Sequence, residues 1–240
     1  MKILRFDPSL HFLVFTHIPK CGGTSVHECL KLMMPDKYIV NTPNMSLADI
    51  DADYWGMGGH FNFCGVPPRI LNGRQPIYMT ILRHPFDRFT SFFNHVAACP
   101  GHYAHKAIPE FFDHTPEEIL LTWEKLDFRE VNDLQTQMIC NKAPEMASVN
   151  AATDIINQHY RFVTTVDYID DMLGDIAAFL GVDKPDLYRL NTTRADSKQN
   201  LNDPVLYERV IKMNQKDLLL YRYVSSRLNE NRLIESKAGR

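Results

Sequence analysis

The segment FTHIPKCGGTS, residues 15–25, decides how the fold of this chain is interpreted. It begins inside a short apolar run, residues 11–18 (HFLVFTHI), which has the length and composition of a buried strand. A Pro-Lys-Cys-Gly-Gly turn follows, and apolar residues then recur at helical spacing until Pro35. Because the first N–H groups of such a helix have no partner within the helix, they point into the turn. The pattern predicts a strand–turn–helix corner that can hold a phosphate-like anion.

Outward from this corner, strands and helices alternate along the chain. Further strands are predicted at residues 38–41, 76–82 and 161–166, and residues 56–63 are predicted as a strand end that runs into a loop. Helices are predicted at residues 85–98, 116–126, 131–140, 148–158, 168–180 and 204–228, the last broken near Asn214. This alternation favours an α/β fold with an open parallel sheet flanked by helices, similar in plan to P-loop proteins. We expect a single domain over residues 1–240, with residues 100–158 as a helical insertion that covers the sheet.

Composition and charge exclude some classes of partner. The chain has 240 residues, of which 45% are hydrophobic and 23% charged, and its formal net charge is −3. This balance gives no general electrostatic footprint for nucleic acid or an anionic membrane, so an anion site must be local. No apolar run is long enough to predict an integral membrane segment. The five scattered cysteines include no CxxC pair, which favours a reducing compartment and a cytoplasmic location.

The residue types in the turn suit an anion. Lys20 supplies a positive charge, and Gly22 and Gly23 allow the backbone to approach a ligand closely. Thr24 and Ser25 add hydroxyl donors. The order of residues differs from a Walker A loop, in which the lysine follows the second glycine. An N-capped helix after an ordinary glycine turn is the alternative interpretation.

A second informative segment is ILRHPFDRFTSFF, residues 81–93, which joins a strand to a helix. Arg83 lies where the strand ends, the usual position for a ligand contact in an open α/β sheet. Its planar fork and the hydroxyl of Ser91 could bind a phosphate. Arg88 is a weaker candidate that could instead pair with an acid. A surface helix with solvated arginines is the alternative.

Together these segments resemble the nucleotide-binding segments of sulfotransferases that use 3′-phosphoadenosine 5′-phosphosulfate (PAPS). Residues 15–25 resemble the 5′-phosphosulfate loop, most closely in the carbohydrate branch that includes the heparan-sulfate 2-O-sulfotransferases. Residues 83–91 are similar to the family's 3′-phosphate segment. The resemblance implies that PAPS is the donor and 3′-phosphoadenosine 5′-phosphate (PAP) the product. It implies these donor-binding residues: Lys20, Cys21, Gly22, Gly23, Thr24, Ser25, Arg83, Ser91 and, from a similar polar loop near the end of the chain, Lys198. Cys21 stands where threonine is common in similar loops.

The segment GGHFNF, residues 58–63, lies between the two phosphate segments. It is similar to the Gly-His segment that carries the catalytic base in 2-O-sulfotransferases, and this similarity nominates His60. The implied reaction is in-line transfer of a sulfuryl group to an acceptor hydroxyl of a small molecule or glycan. His60 accepts the proton, Lys20 stabilises the leaving oxygen, and no metal is required. A structural histidine, or a carboxylate base, is the alternative.

Two other functions remain open from the residues alone. A nucleotide kinase or other P-loop NTPase would need a Gly-Lys-Ser/Thr loop, which is absent, and an acidic magnesium ligand, for which Asp167 is the candidate. A non-catalytic PAPS- or PAP-binding module would keep the pocket without the transfer. The histidine-rich stretch from His95 to His114 matches no zinc spacing and is interpreted as a loop or part of an acceptor pocket. A sugar hydroxyl is the favoured acceptor, with a small alcohol, lipid headgroup or phenol as alternatives.

Overall fold

A five-stranded, all-parallel sheet forms the centre of the molecule, with strand order β2-β3-β1-β4-β5. The computed structural model describes residues 5–42, 45–46, 50, 53–186, 201 and 203–238. The strands are β1 (His11–Thr16), β2 (Tyr38–Asn41), β3 (Gly56–Gly59), β4 (Gln75–Leu82) and β5 (Tyr160–Thr165). With helices packed against this sheet, the predicted α/β fold is confirmed.

The central strands are buried, as their sequences require. All six residues of β1 are buried because β3 and β4 flank it and helices cover it, and this is why its sequence is continuously apolar instead of alternating. β3 consists of Gly-Met-Gly-Gly because neighbouring side chains fill the space beside it. A Cβ at Gly58 would lie 2.1 Å from the hydroxyl of Tyr38 and 2.5 Å from the ring of His27. Only glycine can occupy that position without moving them.

Ten α-helices are found among the described residues. They are α1 (Gly23–Met33), α2 (Pro68–Leu71), α3 (Pro85–Ala97), α4 (Tyr103–Lys106), α5 (Pro116–Lys125), α6 (Leu134–Cys140), α7 (Val149–His159), α8 (Ile169–Leu180), α9 (Pro204–Met213) and α10 (Gln215–Ala238). The predicted break at Asn214 is confirmed. α2 and α4, each a single turn, were not predicted from the sequence. α6 begins at Leu134 instead of residue 131, because a 3-10 turn occupies Arg129–Val131.

Two hydrophobic clusters hold these elements together. The larger one lies around the sheet and includes residues of α1, α6, α7 and α8. The smaller one is aromatic and joins α3, α4, α5 and α9, with Trp123 and Phe93 fully buried within it. Residues 100–158, expected to form one insertion, therefore divide between the clusters. Their first half builds the separate aromatic layer, whereas α6 and α7 belong to the core of the sheet.

The strand order places a topological switch point at β1 and β4. The chain runs from β1 outward to β2, returns through β3, and then crosses β1 to form β4 on its other side. Connections after β1 and β4 therefore leave in opposite directions, which opens a crevice at the carboxyl ends of these strands. The loops that carry Lys20 and Arg83 begin at this crevice, and His60 follows the neighbouring strand β3.

The cysteines and the apolar character of the helices can also be compared with the sequence. All five cysteines are free, and Cys64 is the exposed one. Within the part of the chain that the structure describes, no helix combines the length and apolar character needed to cross a membrane.

Candidate active site

The turn after β1 has an unusual backbone that glycine makes possible. Gly22 is in the left-handed region, with φ 79°, and serves as the N-cap of α1 without a side-chain cap. Lys20 also has a positive φ, 69°. A non-glycine residue in this region is uncommon and indicates a backbone that its surroundings hold in place. The first N–H groups of α1, at Gly23 and Thr24, lie beside the turn, as an anion cradle requires.

Arg83 connects this turn to the end of β4. Its Nη1 donates a hydrogen bond to the main-chain carbonyl of Lys20 at 3.0 Å. The two segments that the sequence analysis singled out are thus in contact, although they are 63 residues apart. Ser91 lies two turns into α3, partly buried, on the helix that begins directly after Arg83 and His84. The end of strand β4 thereby brings the arginine to the crevice.

Positive charge accumulates here without compensation. Within the described residues, none of Lys20, Arg83 and Arg88 forms a salt bridge. The Nε atom of Arg83 is buried without a hydrogen-bond partner there, as are Nε and Nη1 of Arg88. Burial, and then the charge of Arg83, lowers the pKa of Lys20. Buried donors without acceptors are costly, so the arrangement fits an anion that would satisfy them.

Arg88 is more deeply placed than its sequence suggested. The side chain is fully buried, and its Nη2 donates to the main-chain carbonyl of Glu130 at 2.5 Å. The sequence analysis considered that Arg88 could pair with an acid, but no described carboxylate does so. Its positive charge instead acts on the buried thiol of Cys21, whose pKa it lowers against the larger effect of burial.

Gln135, in α6, is a site residue that sequence reasoning missed. It is fully buried, its Oε1 accepts from the Arg83 N–H at 2.9 Å, and its Nε2 donates to the Arg83 carbonyl at 2.9 Å. The thiol of Cys21 points at the same Oε1, with 3.7 Å between sulfur and oxygen. The one available signal was a glutamine within a buried, largely apolar helix, LQTQMIC.

The thiol of Cys21 is shielded. Its side chain is 1% exposed, and burial raises its pKa to about 12. Since the thiolate is the reactive form, Cys21 is an inert thiol at neutral pH despite its position at the amino end of a helix. Its contribution to the turn is therefore made by its backbone and its packing.

His60 is exposed at the end of β3 and has a defined tautomer. Its Nδ1 lies 2.9 Å from the main-chain carbonyl of His17. A carbonyl oxygen can only accept, so Nδ1 carries the hydrogen. In the neutral ring this leaves the lone pair on Nε2, which makes Nε2 available as a proton acceptor.

A chain of neutral side chains lies behind His60. The rings of His17 and His60 are 4.4 Å apart between centroids. His17 Nδ1 pairs with His27 Nε2 at 3.1 Å, and His27 Nδ1 with the Tyr38 hydroxyl at 2.8 Å. Burial lowers the pKa of His17 well below its ordinary value and that of His27 to about 3, and the charge of His60 adds to both. These rings are therefore uncharged at neutral pH, and sequence reasoning gave His17 and His27 no role.

A polar rim, defined as Asn62, His102, Tyr103, Arg129 and Glu130, adjoins the site. Arg129 Nη2 lies 3.4 Å from the side-chain oxygen of Asn62, which follows His60 closely in the chain. Burial and a hydrogen bond with Glu130 raise the pKa of Tyr103. The charge of Lys20 contributes, after burial, to a lowered pKa of His102. The rim therefore extends from the base side of the site to the lysine side.

Lys198 and the histidine-rich stretch are the other features that the sequence singled out. Lys198 lies outside the described residues. Within the described ranges, no group of three or more His, Cys, Asp or Glu is arranged to hold a metal ion. His95 and His102, from the histidine-rich stretch, instead pack as neighbouring rings with centroids 5.6 Å apart.

Most of the chain matches a known protein family. The family model described as "Sulfotransferase family" matches residues 6–224, most of the chain. The chain belongs to the sulfotransferase family. The matched region of this sulfotransferase includes the turn after β1, the Arg83–Ser91 segment and His60. Family membership decides against the nucleotide-kinase alternative.

Two solved structures to which the chain is similar are described as sulfotransferases. One, a crystal structure of a sulfotransferase from Alicyclobacillus acidocaldarius, shares 15% identity over 88% of this chain and 94% of that chain, with a TM-score of 0.48. Another, mouse sulfotransferase SULT7A1 complexed with PAP, shares 18% identity over 76% of this chain and 62% of that chain, with a TM-score of 0.43. No match was found among curated protein sequences.

Proposed function

We propose that this sulfotransferase transfers a sulfuryl group from PAPS to a hydroxyl of a carbohydrate acceptor, with His60 as the base. The observation that carries the proposal is the contact between Arg83 Nη1 and the Lys20 carbonyl. It joins a lysine-bearing glycine turn to a strand-end arginine at the switch point, where α/β proteins bind nucleotides.

The donor would occupy the crevice between the carboxyl ends of β1 and β4. Residues 20–25 would hold its 5′-phosphate through the backbone of the turn, the amino end of α1 and the side chain of Lys20. Arg83 and Ser91 would hold its 3′-phosphate, and the buried Nε of Arg83 supports this assignment because it needs an acceptor. Lys198 is proposed as a further contact on the resemblance alone.

The proposed chemistry requires few groups from the protein. The bound donor supplies a sulfuryl group attached to a stabilised phosphate leaving group. Lys20 and the N–H groups of the turn stabilise negative charge on the phosphate side, in a partly buried site where such stabilisation is strongest. Nε2 of His60 removes the proton of the acceptor hydroxyl, while Nδ1 stays bonded to the His17 carbonyl.

The polar rim supports a carbohydrate acceptor. Exposed aromatic and charged groups lie together there, with Tyr103 half exposed and stacked on His102 at 4.5 Å between ring centroids. Aromatic faces with hydrogen-bonding groups around them suit a polyhydroxylated ligand, which has both apolar and polar faces. The α4 and α5 layer would then form the acceptor side of the site. A heparan-like acceptor is one member of this class.

Calorimetric titration with PAP, in buffer without magnesium, tests donor binding. The proposal predicts binding in the absence of metal and about a tenfold or greater loss of affinity in Lys20→Ala, which removes a charge from the phosphate site. A preference for magnesium-ATP over PAP would overturn the proposal. Labelled-PAPS transfer to a panel of sugars, alcohols and phenols then separates an enzyme from a binding module and identifies the acceptor class.

A further inference from the structure

We propose that Gln135 is a positioning residue that sets the relation between the two anion-binding segments. This inference rests on the proposed function, because it concerns how the donor's two phosphates are held at one distance from each other. Gln135 comes from α6, outside both segments and outside strands β1 and β4.

The side-chain amide of Gln135 acts as a substitute strand partner. β4 ends at Leu82, where its pairing with β5 also ends, so Arg83 is the first residue without a neighbouring strand. Gln135 supplies what a strand would supply, because it accepts from the Arg83 N–H and donates to the Arg83 carbonyl, each at 2.9 Å. The main-chain N–H and carbonyl on either side of the Arg83 Cα are thus both fixed, and the direction of the guanidinium is constrained.

The same amide also contacts the lysine turn. The sulfur of Cys21 lies 3.7 Å from Gln135 Oε1, and Cys21 follows Lys20 directly. Since Arg83 Nη1 donates to the Lys20 carbonyl, these contacts form a closed ring through Lys20, Arg83, Gln135 and Cys21. The ring is buried at Gln135 and Cys21, where water cannot replace a lost partner.

Gln135 is itself held by a buried carboxylate from a second helix. The carboxylate of Asp217, at the beginning of α10, accepts from the Gln135 N–H at 3.0 Å, and from the N–H and hydroxyl of Thr136, each at 2.8 Å. It caps the amino end of α6 from another helix. The position of α6, and hence of the Gln135 amide, is therefore fixed independently of the ligand site.

Gln137 provides a matched control on the same helix. It is also a buried glutamine, 3% exposed, but its Nε2 donates to the Asn132 carbonyl, away from the Arg83 main-chain groups that Gln135 binds. Gln135→Met and Gln137→Met remove the same chemical group from equivalent burial. A general weakening of the core would affect both variants alike.

The test compares the affinities of two nucleotides, PAP and adenosine 5′-monophosphate, which lacks the 3′-phosphate. The ratio of these affinities measures the contribution of the 3′-phosphate, and general destabilisation does not change it. We expect this ratio to fall about tenfold in Gln135→Met, because Arg83 loses its fixed direction, and to change less than about twofold in Gln137→Met. Titrations are made where circular dichroism shows both variants folded.

The outcomes separate the two proposals. An unchanged ratio in Gln135→Met, or an equal fall in both variants, overturns the role of Gln135 while leaving the proposed function intact. A wild-type protein that binds PAP no better than adenosine 5′-monophosphate overturns the proposed function, and this inference with it. If Gln135→Met does not fold, Gln135→Asn carries the same comparison, because its shorter amide stays polar but cannot reach both Arg83 groups.

Discussion

At the residue scale, the assignment of His60 makes a specific kinetic prediction. Its Nδ1 bond to the His17 carbonyl leaves Nε2 as the proton acceptor. Its side chain is exposed and takes no part in the hydrogen bonds that connect Lys20 and Arg83. His60→Ala should therefore lower kcat by about a hundredfold or more, the usual contribution of a general base. The affinity for PAP, measured by calorimetry, should stay within about twofold of the wild type.

His114→Ala is a suitable control for His60→Ala, since His114 is also exposed and lies near Glu118, in the helical layer. It should leave the PAP affinity unchanged and should not lower kcat by anything close to a hundredfold. A His60→Ala variant that retains full turnover would rule out this histidine as the base. A carboxylate such as Glu130 would then become the leading candidate.

The thiols give a second prediction at this scale. Because burial raises the pKa of Cys21 to about 12, only about one molecule in ten thousand would carry the thiolate at pH 8. Cys64 is exposed. Dithionitrobenzoate at pH 8 should therefore modify Cys64 in the native protein and leave Cys21 unmodified, as peptide mass analysis can establish. The unfolded protein in guanidinium should react at both positions, and rapid native labelling of Cys21 would contradict the buried turn.

At the scale of elements, the sequence was informative where the pattern is local. β1 and β4 were predicted because buried parallel strands are continuous apolar runs, and the glycine turn was predicted because few other structures need Lys-Cys-Gly-Gly between a strand and a helix. α4 was missed because a single turn has no periodicity to detect. At its start, the Ala104 N–H donates to His102 Nδ1, a contact that no sequence pattern announces.

Contacts between distant segments could not be predicted in this way. The bonds of Gln135 to Arg83 join residues 52 positions apart, and that of Asp217 to Gln135 joins residues 82 apart. Nothing in the local sequence determines that the amino end of α6 lies beside the end of β4. The residues proposed to touch the donor could be nominated from local sequence, whereas the residues proposed to position them could be nominated only from the folded chain.

The start of α1 offers a prediction for an element. A Cβ at Gly23 would lie 2.1 Å from the ring of His17, a distance that side chains do not tolerate. Gly23→Ala should displace His17 or the first turn of α1, lower the free energy of unfolding by about 2 kcal/mol or more, and weaken PAP binding. Urea denaturation and calorimetry measure the two effects.

Gly174, within α8, is the matched control for Gly23. A Cβ there would meet only the Lys184 side chain, at 3.8 Å, which is ordinary contact. Gly174→Ala should therefore be neutral or stabilise the protein by up to about 1 kcal/mol, because alanine favours a helix more than glycine does. Equal stability of both variants would show that His17 does not pack on Gly23.

At the scale of the whole molecule, the joint between the sheet core and α10 contains a pair of buried carboxylates. Asp217 caps α6, and its own N–H donates to Asp133 Oδ1 at 3.0 Å. Asp133 is 6% exposed and Asp217 is fully buried. Burial, and then the charge of Asp217, raises the pKa of Asp133 to about 6. A joint with this composition makes the stability of the fold depend on pH.

The sign of that dependence follows from proton linkage. Asp133 holds its proton more tightly in the folded state, with a pKa of about 6, than in the unfolded state, where it titrates near 3.8. Its contribution to the free energy of unfolding is therefore present at low pH and is lost as the pH rises through about 4 to 6. Because His17 and His27 have lowered pKa values, their contribution changes in the opposite direction, falling as the pH drops below about 6.5. A difference between two variants isolates the Asp133 contribution.

Asp133→Asn removes the charge and keeps an oxygen to accept from the Asp217 N–H. At pH 8 we expect this variant to be more stable than the wild type by about 1–2 kcal/mol, since the buried Asp133 of the wild type is ionised above its pKa of about 6. The advantage should shrink as the pH falls through about 6 to 4 and vanish toward about pH 3, where the Asp133 carboxyl is protonated in both states. Urea denaturation at several pH values measures it, with the exposed Asp154→Asn as a control for charge removal alone. A variant that is less stable than the wild type at pH 8 would mean that Asp133 is stabilised as an anion, and that α10 is attached to the sheet core by that charge.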